Sequence, residues 1–159
     1  MSTKQDAIKF TKNLVKGRIA ETIFERMLLA TGNYTVLKGG YENTMPLVAQ
    51  ISRGLEDDKV LEGVRKSPDF VVIPKNHKFV YLVEVKYRSN LDINDIIKEA
   101  KAIEEFWPHT HLFVATGSGF FMDTCENIIN SKELQTLAKT IVSSDLQKEY
   151  MELLMDFLG

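Results

Sequence analysis

A chain of 159 residues, 44% apolar and 26% charged, has the length and composition of one globular domain (residues 1–159) able to bury a single core. Its net charge of −2 argues against a highly basic nucleic-acid coat protein. No apolar run approaches the roughly 18 residues that span a bilayer, no signal-peptide pattern is visible, and the lone Cys125 has no internal disulfide partner, so a cytoplasmic protein with a core thiol is expected.

Residues 5–31 read as one helix with Gly17 as a potential break, because Ile19, Ala20, Ile23, Phe24, Met27, Leu28 and Ala30 recur at helical spacing. Gly32 is placed to terminate it in a left-handed conformation. Tyr34–Lys38 reads as a strand stopped by Gly39-Gly40, and Pro46 in a first helical turn predicts a short helix over 46–53. The charged segment from Gly54 to Lys66 lacks a period and reads as a loop. Two strands follow at 69–73 and 79–88, separated by the polar break Pro74–Lys78. A helix capped by Asp92 or Asn94 runs to about Phe106, ahead of Pro108, and a buried strand is expected over His111–Thr116, ended by a Gly117-Ser-Gly119 turn. Short helices over 120–130 and 132–142 and an amphipathic helix over 145–158 complete the expectation. The fold class is therefore α/β, a mixed sheet flanked by helices on both faces.

Charge is unevenly spread. Residues 1–18 hold Lys4, Lys9, Lys12, Lys16 and Arg18 against Asp6, and residues 75–88 hold Lys75, Lys78, Lys86 and Arg88 against Glu84. The last fifteen residues reverse the sign, with Asp145, Glu149, Glu152 and Asp156 against Lys148. Solvated faces explain such runs equally well, but basic stretches beside an acidic site would suit a polyanion.

The chemistry concentrates in Pro68-Asp69 and, with fourteen residues intervening after Asp69, in Glu84-Val85-Lys86. Side chains alternate along a strand, so Glu84 and Lys86 share one face, and two carboxylates and an ammonium are expected to converge at the end of a hairpin. Oxygen ligands suit Mg²⁺, and a neighbouring lysine can polarise an attacking water or a scissile phosphate. An exposed ion pair is the plainer alternative; it is weakened because a charged Glu-x-Lys interrupts an apolar run, where uncompensated charge is costly. Glu21 falls at the margin of the apolar stripe of the first helix and Glu25 about 40° farther toward solvent at 100° per residue, so Glu21 is preferred as a third acid.

With Glu21 in its first helix, then Pro68-Asp69 and Glu84-Val85-Lys86, the chain resembles the PD-(D/E)XK nuclease superfamily, and within it Holliday-junction resolvases and related small nucleases. The resemblance covers about residues 17–116. It implies a restriction-endonuclease-like fold with extra C-terminal helices, and a Mg²⁺-dependent DNA endonuclease in which Mn²⁺ substitutes. It further implies that Asp69, Glu84 and the Val85 carbonyl hold metal, that Glu21 binds or orients metal-bound water, and that Lys86 positions or deprotonates it. A catalytically silent nuclease-fold module that binds nucleic acid or a partner protein is the alternative. Cutting two strands needs two sites, so a homodimer is expected. The 145–158 stripe of Leu146, Tyr150, Leu153, Leu154, Phe157 and Leu158 is open either to dimerisation or to completing the core, and the 41–66 insertion is a further candidate surface.

Overall fold

The computed structural model describes residues 3–40, 59–76 and 78–159; the short helix expected over 46–53 lies outside these. Their order is α1 (Lys4–Ala30), β1 (Tyr34–Lys38), α2 (Lys59–Arg65), β2 (Phe70–Pro74), β3 (Tyr81–Tyr87), α3 (Ile93–Phe106), β4 (Thr110–Thr116), β5 (Gly119–Thr124), α4 (Cys125–Ser131) and α5 (Ser144–Leu158). The five strands form one mixed sheet in sequence order. Every neighbouring pair is antiparallel except β3 and β4, whose parallel pairing is bridged by the α3 crossover.

α1 starts from a reciprocal capping box between Thr3 and Asp6, and Gly32 follows its C-cap at φ 72°. The potential break at Gly17 does not occur. One glycine costs about 1 kcal/mol relative to alanine, too little to interrupt a capped helix of 27 residues. Residues 3–15 of this helix are all exposed, so its first half overhangs the sheet and its second half packs on it.

Three other expectations are corrected. The Gly54–Lys66 loop contains α2, whose Gly63 carbonyl accepts a hydrogen bond from Trp107 Nε1 at 2.8 Å. Residues 120–130 are not one helix: Gly119–Thr124 is strand β5, joined to β4 by a two-residue Gly117-Ser118 turn, and only Cys125–Ser131 is helical. Residues 132–142 are not helical either. Lys132 ends α4 at φ 57°, and the following chain runs beside β5, with Met122 N–H donating to Gln135 O and Leu137 N–H to Phe120 O. The apolar pair Phe120 and Phe121 hid this strand because its two faces enter different cores, which removes the polar-apolar alternation.

Those cores lie on opposite faces of the sheet. On one, α1 and α5 pack Ala20, Ile23, Phe24, Met27 and Leu154 against Phe70, Val72, Val83, Val85 and Phe113. On the other, α3 and α4 pack Ile96, Ala100, Ile103 and Ile128 against Leu112 and Val114. Helices on both faces are therefore observed. Leu154 is buried in the first core, with Leu146, Tyr150 and Leu158 packed against it, whereas Leu153 and Phe157 stay exposed. Much of the α5 stripe thus completes the core. No helix of the described residues is long and apolar enough to cross a membrane.

Phe24 is fully buried between Phe70 and Phe113, at centroid separations of 5.3 and 4.9 Å. Phe24→Ala is expected to destabilise the protein by about 3–5 kcal/mol, the usual cost of emptying a core aromatic. Urea unfolding followed by circular dichroism measures it; a loss under about 1 kcal/mol would show that α1 is not keyed to the sheet through this ring.

Candidate active site at the fork between β2 and β3

The ladder between β2 and β3 covers only Phe70–Val72 against Tyr81–Val83. Beyond it β3 continues along β4 to Tyr87, while the chain before β2 leaves toward β1. Gly39 and Gly40 draw it there: their N–H groups donate to the carbonyls of Asp69 at 2.6 Å and Pro68 at 2.7 Å. Successive strand N–H groups ordinarily point opposite ways. Gly40 sits at φ 77°, a left-handed conformation that favours glycine, so the turn departs from strand geometry as both N–H groups reach the same neighbour. Gly39 is required sterically, since a Cβ there would lie 2.5 Å from the Pro68 carbonyl oxygen.

With the backbone of Pro68 and Asp69 committed to β1, the Val85 N–H is met by a side chain: Asp69 Oδ2 accepts from it at 2.9 Å. Val83 and Val85 face the α1 core, so by alternation Glu84 and Lys86 face the α3 side. There Lys86 Nζ lies 3.3 Å from Glu84 Oε1, with Glu84 only 14% exposed. Asp69, Glu84, Val85 and Lys86 therefore assemble as the spacing predicted.

The three charges are mutually dependent. Burial raises the Asp69 carboxyl, against the Val85 hydrogen bond and the Lys86 charge. Burial and then the Asp69 charge push Glu84 up to about 8, with Lys86 opposing. Burial disfavours the Lys86 ammonium, but the fields of Glu84, Glu99 and Asp69 outweigh it and its pKa is raised. Lys86 is thus held as a cation beside a carboxyl pair that strains to ionise fully.

A cleft of about 720 Å³ opens over this fork, a volume ordinary for a ligand site. Its walls include Lys16, Arg18, Lys38, Arg65, Lys66 and Arg88. Glu21 lines it from α1, across the sheet plane from Glu84 and Lys86, as does Glu25, whose carboxylate lies 4.0 Å from Lys38 Nζ. Among the described residues no three His, Cys, Asp or Glu side chains form a metal-holding group, so Glu21 does not close a three-acid cage with Asp69 and Glu84. The donors that do meet, two half-buried carboxylates, fit Mg²⁺, which commonly takes one or two carboxylates and completes its shell with water and substrate phosphate.

Arg88 shares the face of Lys86, a place from which either a phosphate contact or a strand-end ion pair would be equally natural on sequence grounds. Its guanidinium bonds Asp95 at 2.9 Å and Glu99 at 2.8 Å, the ion-pair arrangement. Local spacing missed Gly39-Gly40 as the clamp on the motif, and it missed Arg65, Lys66 and Ser67 as a cleft wall. Ser67 Oγ is buried there without a hydrogen-bond partner among the described residues. The proximity of Gly39-Gly40 to Pro68-Asp69 depends on the register Tyr34↔Pro74 continued past the strand end, which no local spacing announces. Burial and nearby carboxylates push the Cys125 thiol up to about 12, which removes it as a nucleophile near neutral pH. Compared with protein-family models, curated proteins and solved structures, the chain matches none of them.

A carboxyl whose folded pKa lies above its unfolded value stabilises the fold only while it is protonated. The Glu84 contribution is therefore full below about 4.5 and lost as pH rises through about 8. Without divalent cations the melting temperature should fall across that window, and Glu84→Gln should flatten the fall. An unchanged slope in the variant would mean that another group carries it. Gly39→Ala should cost about 1–3 kcal/mol, because a backbone oxygen must move to admit the methyl group. A thermal melt matching the wild type would show that the Pro68-Asp69 turn is not sterically fixed.

Proposed function

We propose that the chain is a Mg²⁺-dependent phosphodiester hydrolase acting on DNA, with a restriction-endonuclease-like core formed by α1, β1, β2, β3, α3 and β4. One observation carries this reading: Asp69, Glu84 and Lys86 meet at a strand fork in the floor of a cleft walled by basic side chains. The like-charge strain between the two carboxyls is what a divalent cation would relieve.

Asp69 and Glu84 would hold Mg²⁺, with the Val85 carbonyl a further donor; the ion would supply Lewis acidity toward phosphate and a lowered water pKa. Lys86, kept protonated by its carboxylate neighbours, orients the attacking water and neutralises charge developing on the phosphoryl oxygens. Asp69 stays oriented through its bond from Val85 N–H. Lys38, Arg65 and Lys66 line the route of the flanking phosphodiester backbone. Glu21 orients water from the α1 side. DNA with a branched or junction structure is the favoured substrate, and a homodimer supplies the two sites that two cuts require.

The silent-module reading has one observation in its favour, the missing three-acid group among the described residues. Incubation with duplex, flap, four-way junction and single-stranded DNA in Mg²⁺ or Mn²⁺ decides between them. Asp69→Asn and Lys86→Ala are expected to reduce metal-dependent cleavage by about 10²-fold or more with the fold intact. Glu21→Ala is expected to lose more activity than Glu25→Ala at limiting Mg²⁺. Binding without cleavage on every substrate would establish the silent module, and wild-type cleavage by Lys86→Ala would remove the site.

A further inference from the structure

We propose that the overhanging half of α1 docks against α5 of a second copy of this chain, giving a reciprocal dimer. This deepens the homodimer of the preceding reading by naming its surface, and it stands on geometry and charge rather than on the cleavage chemistry. Residues 4–15 of α1 are all exposed, with Asn13 and Leu14 bordering the cleft, and Phe10 is 70% exposed. At about 100° per residue, Lys9, Lys12 and Lys16 fall on one side of the helix. It is the side by which Ala20, Ile23 and Met27 pack on the sheet farther along. Lys16 sits over the Tyr87 ring, 5.6 Å from its centroid, at the edge of the cleft, so Lys9 and Lys12 are the part of the row that lies on the overhang. Ile8 and Val15, both exposed, border it.

α5 carries the opposite pattern. Asp145, Glu149, Glu152 and Asp156 fall within about 60° of one another by the same count, on the side away from the buried Leu154. Exposed Leu153 and Phe157 border this acidic row, with Phe157 63% exposed. Among the described residues no ion pair engages Lys9, Lys12, Glu149, Glu152 or Asp156 within the chain. Each helix therefore presents charges of one sign beside an apolar edge, and the two match when α1 of one copy lies along α5 of another. A two-fold axis forms that contact twice, which closes the assembly. A polyanion would also meet the lysines, but it has no use for Ile8 and Val15 and would be repelled by α5.

The test is light scattering on the full chain at micromolar concentration, in low and in high salt, with metal-dependent DNA cleavage and DNA binding measured in parallel. The wild type should be a dimer that salt weakens. Lys9→Glu with Lys12→Glu, and separately Glu149→Lys with Glu152→Lys, should each weaken association by about tenfold or more. All four changes in one chain should restore the dimer. A monomeric wild type, or a dimer indifferent to both pairs, overturns the proposal. So does a monomer whose lysine variants lose only DNA binding, which would give the overhang to a polyanion. Absence of cleavage by the wild type on every substrate, with the dimer restored by the four changes, would instead sink the nuclease reading and leave this one standing.

Discussion

Where the chain before β2 turns away from β3, the Val85 N–H has no strand carbonyl to meet, and the Asp69 carboxylate supplies the acceptor. A partly buried backbone donor left unmet would cost about 1–3 kcal/mol, so the fork persists because this side chain closes it. The same bond fixes where Asp69 points. The Asp69 and Glu84 carboxyls are then side by side, with Lys86 alongside. Structure and candidate chemistry draw on one contact, and it depends in turn on Gly39 and Gly40 holding the backbone of Pro68 and Asp69 toward β1.

The electrostatics follow from that placement. One lysine stands against two largely buried carboxyls, and Coulomb attraction across 3.3 Å offsets only part of the desolvation they incur. Near neutral pH Glu84 keeps its proton, so the fork carries little net charge beneath a positive rim, where Lys16, Arg18, Lys38, Arg65 and Lys66 stand. A positive rim favours an anionic chain, and a small cation at the base would have to displace the Glu84 proton. A surface ion pair of the Arg88–Asp95 kind carries no comparable tension, because both partners keep much of their hydration.

Local spacing made α1, β1, β3, α3 and β4 legible nearly to the residue, since each carries a single period and a chemical stop such as Gly32 or Pro108. It also placed Asp69, Glu84 and Lys86 together, because pleat alternation and a short hairpin leave little freedom. What escaped was long-range. β5 lacks polar alternation because both its faces are covered, and α2 rests on a hydrogen bond from Trp107, 44 residues away. The Gly39-Gly40 clamp is invisible for the same reason: a glycine pair reads as a stop until the neighbouring strand is known. Glu21 lines the cleft, but so does Glu25. The helical angle that separates them on paper therefore does not separate them in the fold, nor does it show which side of the sheet Glu21 approaches from.

The chain has a single tryptophan, and its indole N–H is bonded to α2 rather than set in either core. Its neighbour Phe106 lies under the Lys66 ammonium, 4.9 Å from the ring centroid, and meets the face of Gly63. Intrinsic fluorescence of this protein is therefore a gauge of the cleft rim. A shift in emission would register α2 lifting from the end of α3, taking Arg65 and Lys66 with it, while the two apolar layers remain folded. Optical melting by tryptophan and by far-ultraviolet dichroism would then follow two different events, and their separation would measure how independently the basic wall moves.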